Sequence, residues 1–295
     1  MDFIGNKKAV TLLEKTIQSG KVSQAYLFSG PEAVGKFTLA KFFSRAIISN
    51  QSFTSILRNI KVNAGKDNFL LDLIVLSPDV EEKNGIIREK DIPIEKIRNA
   101  QKELTLYPYQ GKYKVLIIND AHKLTEQSQN ALLKTLEEPN STSVIILATH
   151  EEAKIFPTIK SRCQKINFNL VPDSEINLEA SEMKDISLYS LGRPGLAVNM
   201  INKKEELSFF KGALDELREL SSASVNQRLA KAEEISKNKI EAIKKMNVWI
   251  WFLHKKSITE PKFFSILEKI HKCMDEINNT NASARLLLEN LFLDL

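Results

Sequence analysis

The sequence predicts an α/β fold: a parallel sheet wrapped by helices, followed by a long helical region. Three observations carry this expectation. Apolar runs of strand length alternate with helical patterns in the first half of the chain. A glycine-containing turn joins the first run to a helix, and beyond about Phe168 no strong strand pattern returns.

The first run, Ala25 to Gly30, is short, apolar and closed by glycine, and the helical pattern KFTLAKFFSRAI follows it. The second, Tyr113 to Asp120, is almost continuously apolar, as a strand covered on both faces must be. Next comes LTEQSQNALLKTLEEP, in which Leu124, Ala131, Leu132, Thr135 and Leu136 fall near one helical face. Thr125 is placed to cap this helix and Pro139 to stop it. A third strand is expected over Ser143 to Thr149. Asp173 to Ala197 suggests short helices around Gly192, Pro194 and Gly195, while Ser49 to Gly65 shows no clear period. From Lys203 to Leu295 the sequence is Lys/Glu-rich and helical, with Gly212 its only glycine and Pro261 its only proline. These shifts divide the chain into an α/β domain over 1–168, a small helical domain over 169–203 and a helical bundle over 204–295.

Composition narrows the function classes. The 295 residues are 43% hydrophobic and 27% charged, enough for a real core. Two cysteines, Cys163 and Cys273, supply neither a disulfide framework nor a four-thiolate zinc site. The start, MDFIGNKKAV, lacks the apolar run of a signal peptide, and no segment approaches a membrane span, so a cytoplasmic protein without membrane contact is expected. A net charge of +5 permits contact with nucleic acid without demanding it.

Gly30-Pro-Glu-Ala-Val-Gly35-Lys36 has the spacing of a phosphate loop between a strand and a helix. Glycines let such a loop fold round phosphates, backbone N–H groups point inward and the lysine neutralises charge. The next residue should carry a hydroxyl for Mg²⁺, yet it is Phe37; Thr38, one residue later, points about 100° away. A working ATPase also ends a later strand in two acids, one for the metal and one to activate water. Here the pair is Asn119-Asp120, neutral at the first position and shorter than glutamate at the second. The two changes fall on the same metal site. Binding of ATP is therefore not expected, and hydrolysis still less.

SQNALLKTLEEPNSTSVIILAT followed by IKSRCQ resembles the AAA+ clamp-loader subunits of bacterial DNA polymerase III, strongly from Phe3 to Phe168 and more weakly through Gly195. The resemblance implies an AAA+ sheet domain, a small helical lid and a C-terminal collar. It points to the delta-prime type, in which the nucleotide site is not functional. In the ATPase members an arginine of the lid senses the γ-phosphate; Gly195 stands at that place, and Arg193, two positions away, is not a replacement. Ser161-Arg162-Cys163 matches the motif of an arginine finger that acts on a neighbour's ATP. The implied partners are the ATPase subunits and a delta subunit in a heteropentamer, with the sliding clamp and primed DNA reached through the complex. The family's zinc module, four cysteines between phosphate loop and acidic strand, has no counterpart in Phe53 to Asp79, so no zinc is expected.

Two other classes stay open: an active clamp-loader ATPase of the gamma/tau type, using Thr38 and Asp120 in shifted registers, and a DNA-binding AAA+ repair factor. Cys163 is expected to be a packed thiol and not a nucleophile. Neither His122 nor His150 is read as a metal ligand, and Trp249, Trp251 and Phe252 are expected to pack the bundle.

Overall fold

A computed structural model describes residues 3–58, 71–83, 86–176, 186, 189–280 and 282–295. The chain divides into two compact units, Met1–Ile176 with Gly192–Gly195, and Asn177–Leu191 with Leu196–Leu295.

In the first unit, α1 (Lys7–Gln18), β1 (Ala25–Ser29), α2 (Lys36–Ser49) and α3 (Phe53–Arg58) are followed by β2 (Leu73–Leu76) and a hairpin of β3 (Val80–Lys83) and β4 (Ile86–Glu89). Then come α4 (Ile94–Leu104), β5 (Lys114–Ile118), α5 (Glu126–Glu137), β6 (Ser143–Thr149), the one-turn α6 (Pro157–Lys160) and β7 (Gln164–Asn167). Among the described residues, five strands form one parallel sheet in the order β2-β5-β6-β1-β7. The expected parallel α/β sheet wrapped by helices is the one observed, with the three strands read from the sequence at its centre.

Those central strands are buried at every residue. Their side chains alternate between the two faces, as a pleated strand requires. Tyr26, Phe28, Val115, Ile117, Val144 and Ile146 join the cluster filled by Leu39, Ala40 and Phe43 of α2. Leu27, Leu116, Ile118, Ile145 and Leu147 join the opposite cluster, with Ile97 and Leu104 of α4 and Leu132 and Leu136 of α5. Sequence reasoning missed β2 and β7. Both are sheet edges: β2 is the short apolar run Leu73–Leu76, passed over although it is apolar throughout, and β7 buries only Ile166.

Thr125 caps α5 as expected, its side chain accepting the Ser128 N–H. Asp72, fully buried, accepts the N–H groups of Tyr109 and Gln110 and so fixes the turn into β5. The unassigned stretch Ser49 to Gly65 holds α3, and its part beyond residue 58 lies outside the described residues, as does most of 177–188.

In the second unit, beyond the first turn of α7 (Pro194–Asn202), five helices follow: α8 (Lys204–Ser222), α9 (Val225–Ser236), α10 (Lys239–Ser257), α11 (Phe263–Asn279) and α12 (Ala284–Leu293). Their apolar faces close on a core that includes Leu217, Trp249, Leu253, Ile270 and Phe292, with Trp251, Phe252 and Phe263 packed at its margin. Trp249 is fully buried, and its indole N–H donates to Ala213 O at 2.7 Å, so no polar group is stranded there. Ser224 and Gln227 form a reciprocal cap at the start of α9, and Asn238 caps α10. No described helix is long and apolar enough to cross a membrane.

Candidate nucleotide-site remnant and finger arginine

The phosphate loop leaves β1 at Ser29 and closes as Gly35, with φ 94°, caps α2. Gly30 has φ 148°, and a Cβ there would lie 2.1 Å from Phe168 O, so only glycine lets the loop pass the end of β7. Lys36 is buried and turns back into its own loop, donating to Gly30 O at 2.7 Å and to Pro31 O. Burial pulls its ammonium down to about 8; Glu32 and Asp120 oppose the shift, and Arg193 adds to it.

Phe37 packs its ring against the α2-side core, with the Lys41 ammonium 4.8 Å from the ring centroid. The loop thus offers phosphate-binding backbone and a lysine, but position 37 has no oxygen for a magnesium ion. Gly195, at the start of α7, donates its N–H to Ala33 O at 2.8 Å. A Cβ on Gly195 would sit 2.8 Å from that same carbonyl, so the backbone at Gly195 lies directly on the phosphate loop. Arg193 is buried nearby and held down to about 10 by burial, against the pull of Glu32.

At the end of β5, Asn119 Nδ2 donates to Asp120 Oδ2 at 2.7 Å. Asp120 adopts the left-handed conformation, φ 49° and ψ 50°. Burial alone would raise its carboxyl; the approach of His150, with the charges of His122, His150 and Lys36, outweighs burial and holds it below the usual carboxylate range. The parallel neighbour β6 ends at Thr149, so His150 and Glu151 emerge beside Asp120 and His122. Sequence reasoning set both histidines aside. The signal was available in the two strand-end positions, but it needed the β5–β6 pairing to be seen.

Arg162 lies elsewhere. It follows α6 and precedes β7, and β7 runs parallel to β1 with Tyr26 opposite Gln164. Arg162 therefore stands at the N-terminal edge of the sheet and Gly30 at the C-terminal edge, about 20 Å apart by strand rise. Its guanidinium donates to Thr158 O at 2.9 Å and to Glu137 Oε1 at 2.8 Å. Cys163 is half-buried, and burial pushes its thiol up to about 12, the opposite of what a nucleophile needs.

The profile of the family described as DNA polymerase III, delta subunit, matches residues 5–172. The chain is 34% identical over 176 residues to DNA polymerase III subunit tau of Bacillus subtilis strain 168, covering 59% of this chain and 30% of that protein. It is 30% identical over 240 residues to DNA polymerase III subunit gamma/tau of Mycoplasma genitalium, covering 79% and 35% respectively. The chain thus spans 30% and 35% of the lengths of these two curated relatives. Among solved structures, a DNA polymerase III gamma subunit-related protein of Thermotoga maritima shares 18% identity and a TM-score of 0.48, over 97% of this chain and 98% of that one.

Proposed function

Because the chain belongs to the DNA polymerase III delta-subunit family, we propose that it serves as a non-catalytic, delta-prime-type subunit of a clamp loader. In this role it assembles with ATPase subunits and a delta subunit, acts on the sliding clamp and primed DNA through the complex, and lends Arg162 to a neighbour's ATP. The observation that carries the reading is the placement of Arg162 at the sheet edge opposite the chain's own phosphate loop. From there it can reach only nucleotide held by another subunit. A guanidinium suits the task because it stays charged and binds phosphate oxygens with two donors at once.

The chain's own site supports the same conclusion. Phe37 supplies carbon where a metal ligand is needed, and Asn119 spends its amide on Asp120. A neutral amide is a poor ligand in place of a carboxylate beside a divalent cation. Neither ATP turnover nor a zinc module is part of this reading.

The deciding experiment is ATP turnover by the purified chain, alone and with its ATPase partners on primed DNA, for wild type and Arg162→Ala. Silence alone, stimulation in the mixture and slowed turnover with the assembled variant are expected. Normal turnover by the variant complex would remove the finger role. The second reading, an ATPase of the gamma/tau type, draws on the retained loop backbone and Lys36. It requires Mg²⁺-dependent turnover by the chain alone that Lys36→Ala abolishes.

A further inference from the structure

We propose that Asp120, His122 and His150, with Glu151 beside them, form a binding site for one divalent transition-metal ion of the zinc class. The proposal stands whether or not the chain hydrolyses ATP, because it needs neither nucleotide nor the phosphate loop.

The donor atoms are already gathered. One ligand atom from each of Asp120, His122 and His150 lies within 4.8 Å of the others. His150 Nδ1 is 3.6 Å from Asp120 Oδ1, and His122 Nε2 is 3.6 Å from Glu151 Oε1. His150 Nε2 is 3.8 Å from the same glutamate oxygen, an alternative to Nδ1, since one imidazole gives an ion a single nitrogen. Ligands on a tetrahedral ion with bonds of about 2.0–2.1 Å stand about 3.4 Å apart. Movements of a few tenths of an ångström bring the Asp120–His150 and His122–Glu151 pairs to that spacing, and the whole set has to close from within 4.8 Å.

A second observation points the same way. The His122 side chain is 1% exposed, and its Nε2 has no hydrogen-bond partner. A buried polar atom left in this condition is costly, and native proteins rarely leave one so without a purpose. The other ring nitrogen, Nδ1, lies 3.4 Å from Thr149 Oγ1. In the tautomer that donates Nδ1–H to this hydroxyl, Nε2 carries the lone pair and is aimed into the cluster, the arrangement in which outer partners orient metal-bound histidines.

The carboxylates are prepared in a similar way. Asn119 occupies Asp120 Oδ2 and leaves Oδ1 toward His150; Lys154 occupies Glu151 Oε2 at 2.8 Å and leaves Oε1 toward both histidines. Two imidazoles with carboxylate oxygens suit Zn²⁺, Co²⁺ or Ni²⁺. Mg²⁺ prefers an all-oxygen octahedron and is not expected to compete.

The test uses the full chain stripped with chelator and titrated with Co²⁺ alone, followed by its visible d–d absorption and by calorimetry. Expected is one Co²⁺ per chain at micromolar metal, with the intense band of a four- or five-coordinate site, displaced by Zn²⁺ and not by excess Mg²⁺. His150→Ala, at a partly exposed position, should weaken binding more than about tenfold; Asp120→Asn should weaken it less, and His271→Ala should not change it. Absence of the band in wild type, or a band that survives in His150→Ala, overturns the site.

Discussion

Arg162 Nη2 meets Glu137 Oε1 at 2.8 Å, which ties the segment before β7 to the last turn of α5. The pair is solvent-accessible, with the two side chains 35% and 51% exposed. Exposed ion pairs contribute little to stability, typically about 0–1 kcal/mol. Arg162→Ala should therefore unfold in urea within about 1 kcal/mol of wild type. If Arg162 acts as the finger proposed for it, turnover at the neighbouring site in the assembled complex should fall by about 10³ or more. Together the two measurements separate a finger role from a folding role.

Lys36 gives a pH signature. Its ammonium titrates near 8 in the folded chain, against an ordinary lysine value of 10.5 once the chain is unfolded. Between those values the unfolded chain binds more protons, so stability from this group rises with pH through that window. Below about 8 the folded state carries the full cost of the buried charge. Lys36→Met loses the bonds to Gly30 O and Pro31 O along with the charge, so the signature is the slope. Wild type should gain roughly 1–3 kcal/mol relative to Lys36→Met as pH rises from 8 toward 10.5. Urea unfolding of both chains across that range measures it.

Neither cysteine should behave as a reactive thiol. Burial pushes Cys163 to about 12 and, helped by the charge of Glu276, Cys273 to about 11. At pH 8 iodoacetamide should label both at least about 10²-fold more slowly than a small free thiol. Both should react quickly once the chain is unfolded. Mass spectrometry of timed samples reads the rates.

Gly195→Ala tests the contact between Gly195 and the phosphate loop. The added Cβ would meet Ala33 O at 2.8 Å, against backbone that cannot rotate away. Overpacking of this kind costs about 1–3 kcal/mol, visible as a lower urea midpoint with an unchanged slope.

The sequence made the sheet's centre legible because β1, β5 and β6 are covered on both faces and so are written as unbroken apolar runs. The edges were not legible. β7 buries one residue in four, Ile166, and its pattern exposed–exposed–buried–exposed has no strong signature. The loop of Gly30, Gly35 and Lys36 was readable because its spacing is local. His122 and His150 are 28 positions apart, and only the parallel register of β5 and β6 brings their rings to 4.1 Å between centroids. Arg193, two residues from Gly195, is buried within electrostatic reach of Lys36 and Glu32, a neighbourhood that spacing along the chain does not show.

Lys36, bonded to the carbonyls of Gly30 and Pro31, acts as an internal strut for the loop that carries it. A loop tied off by its own lysine keeps its curvature without a phosphate to wrap. The shape of this turn is thus set from within the chain, by one side chain and two carbonyls.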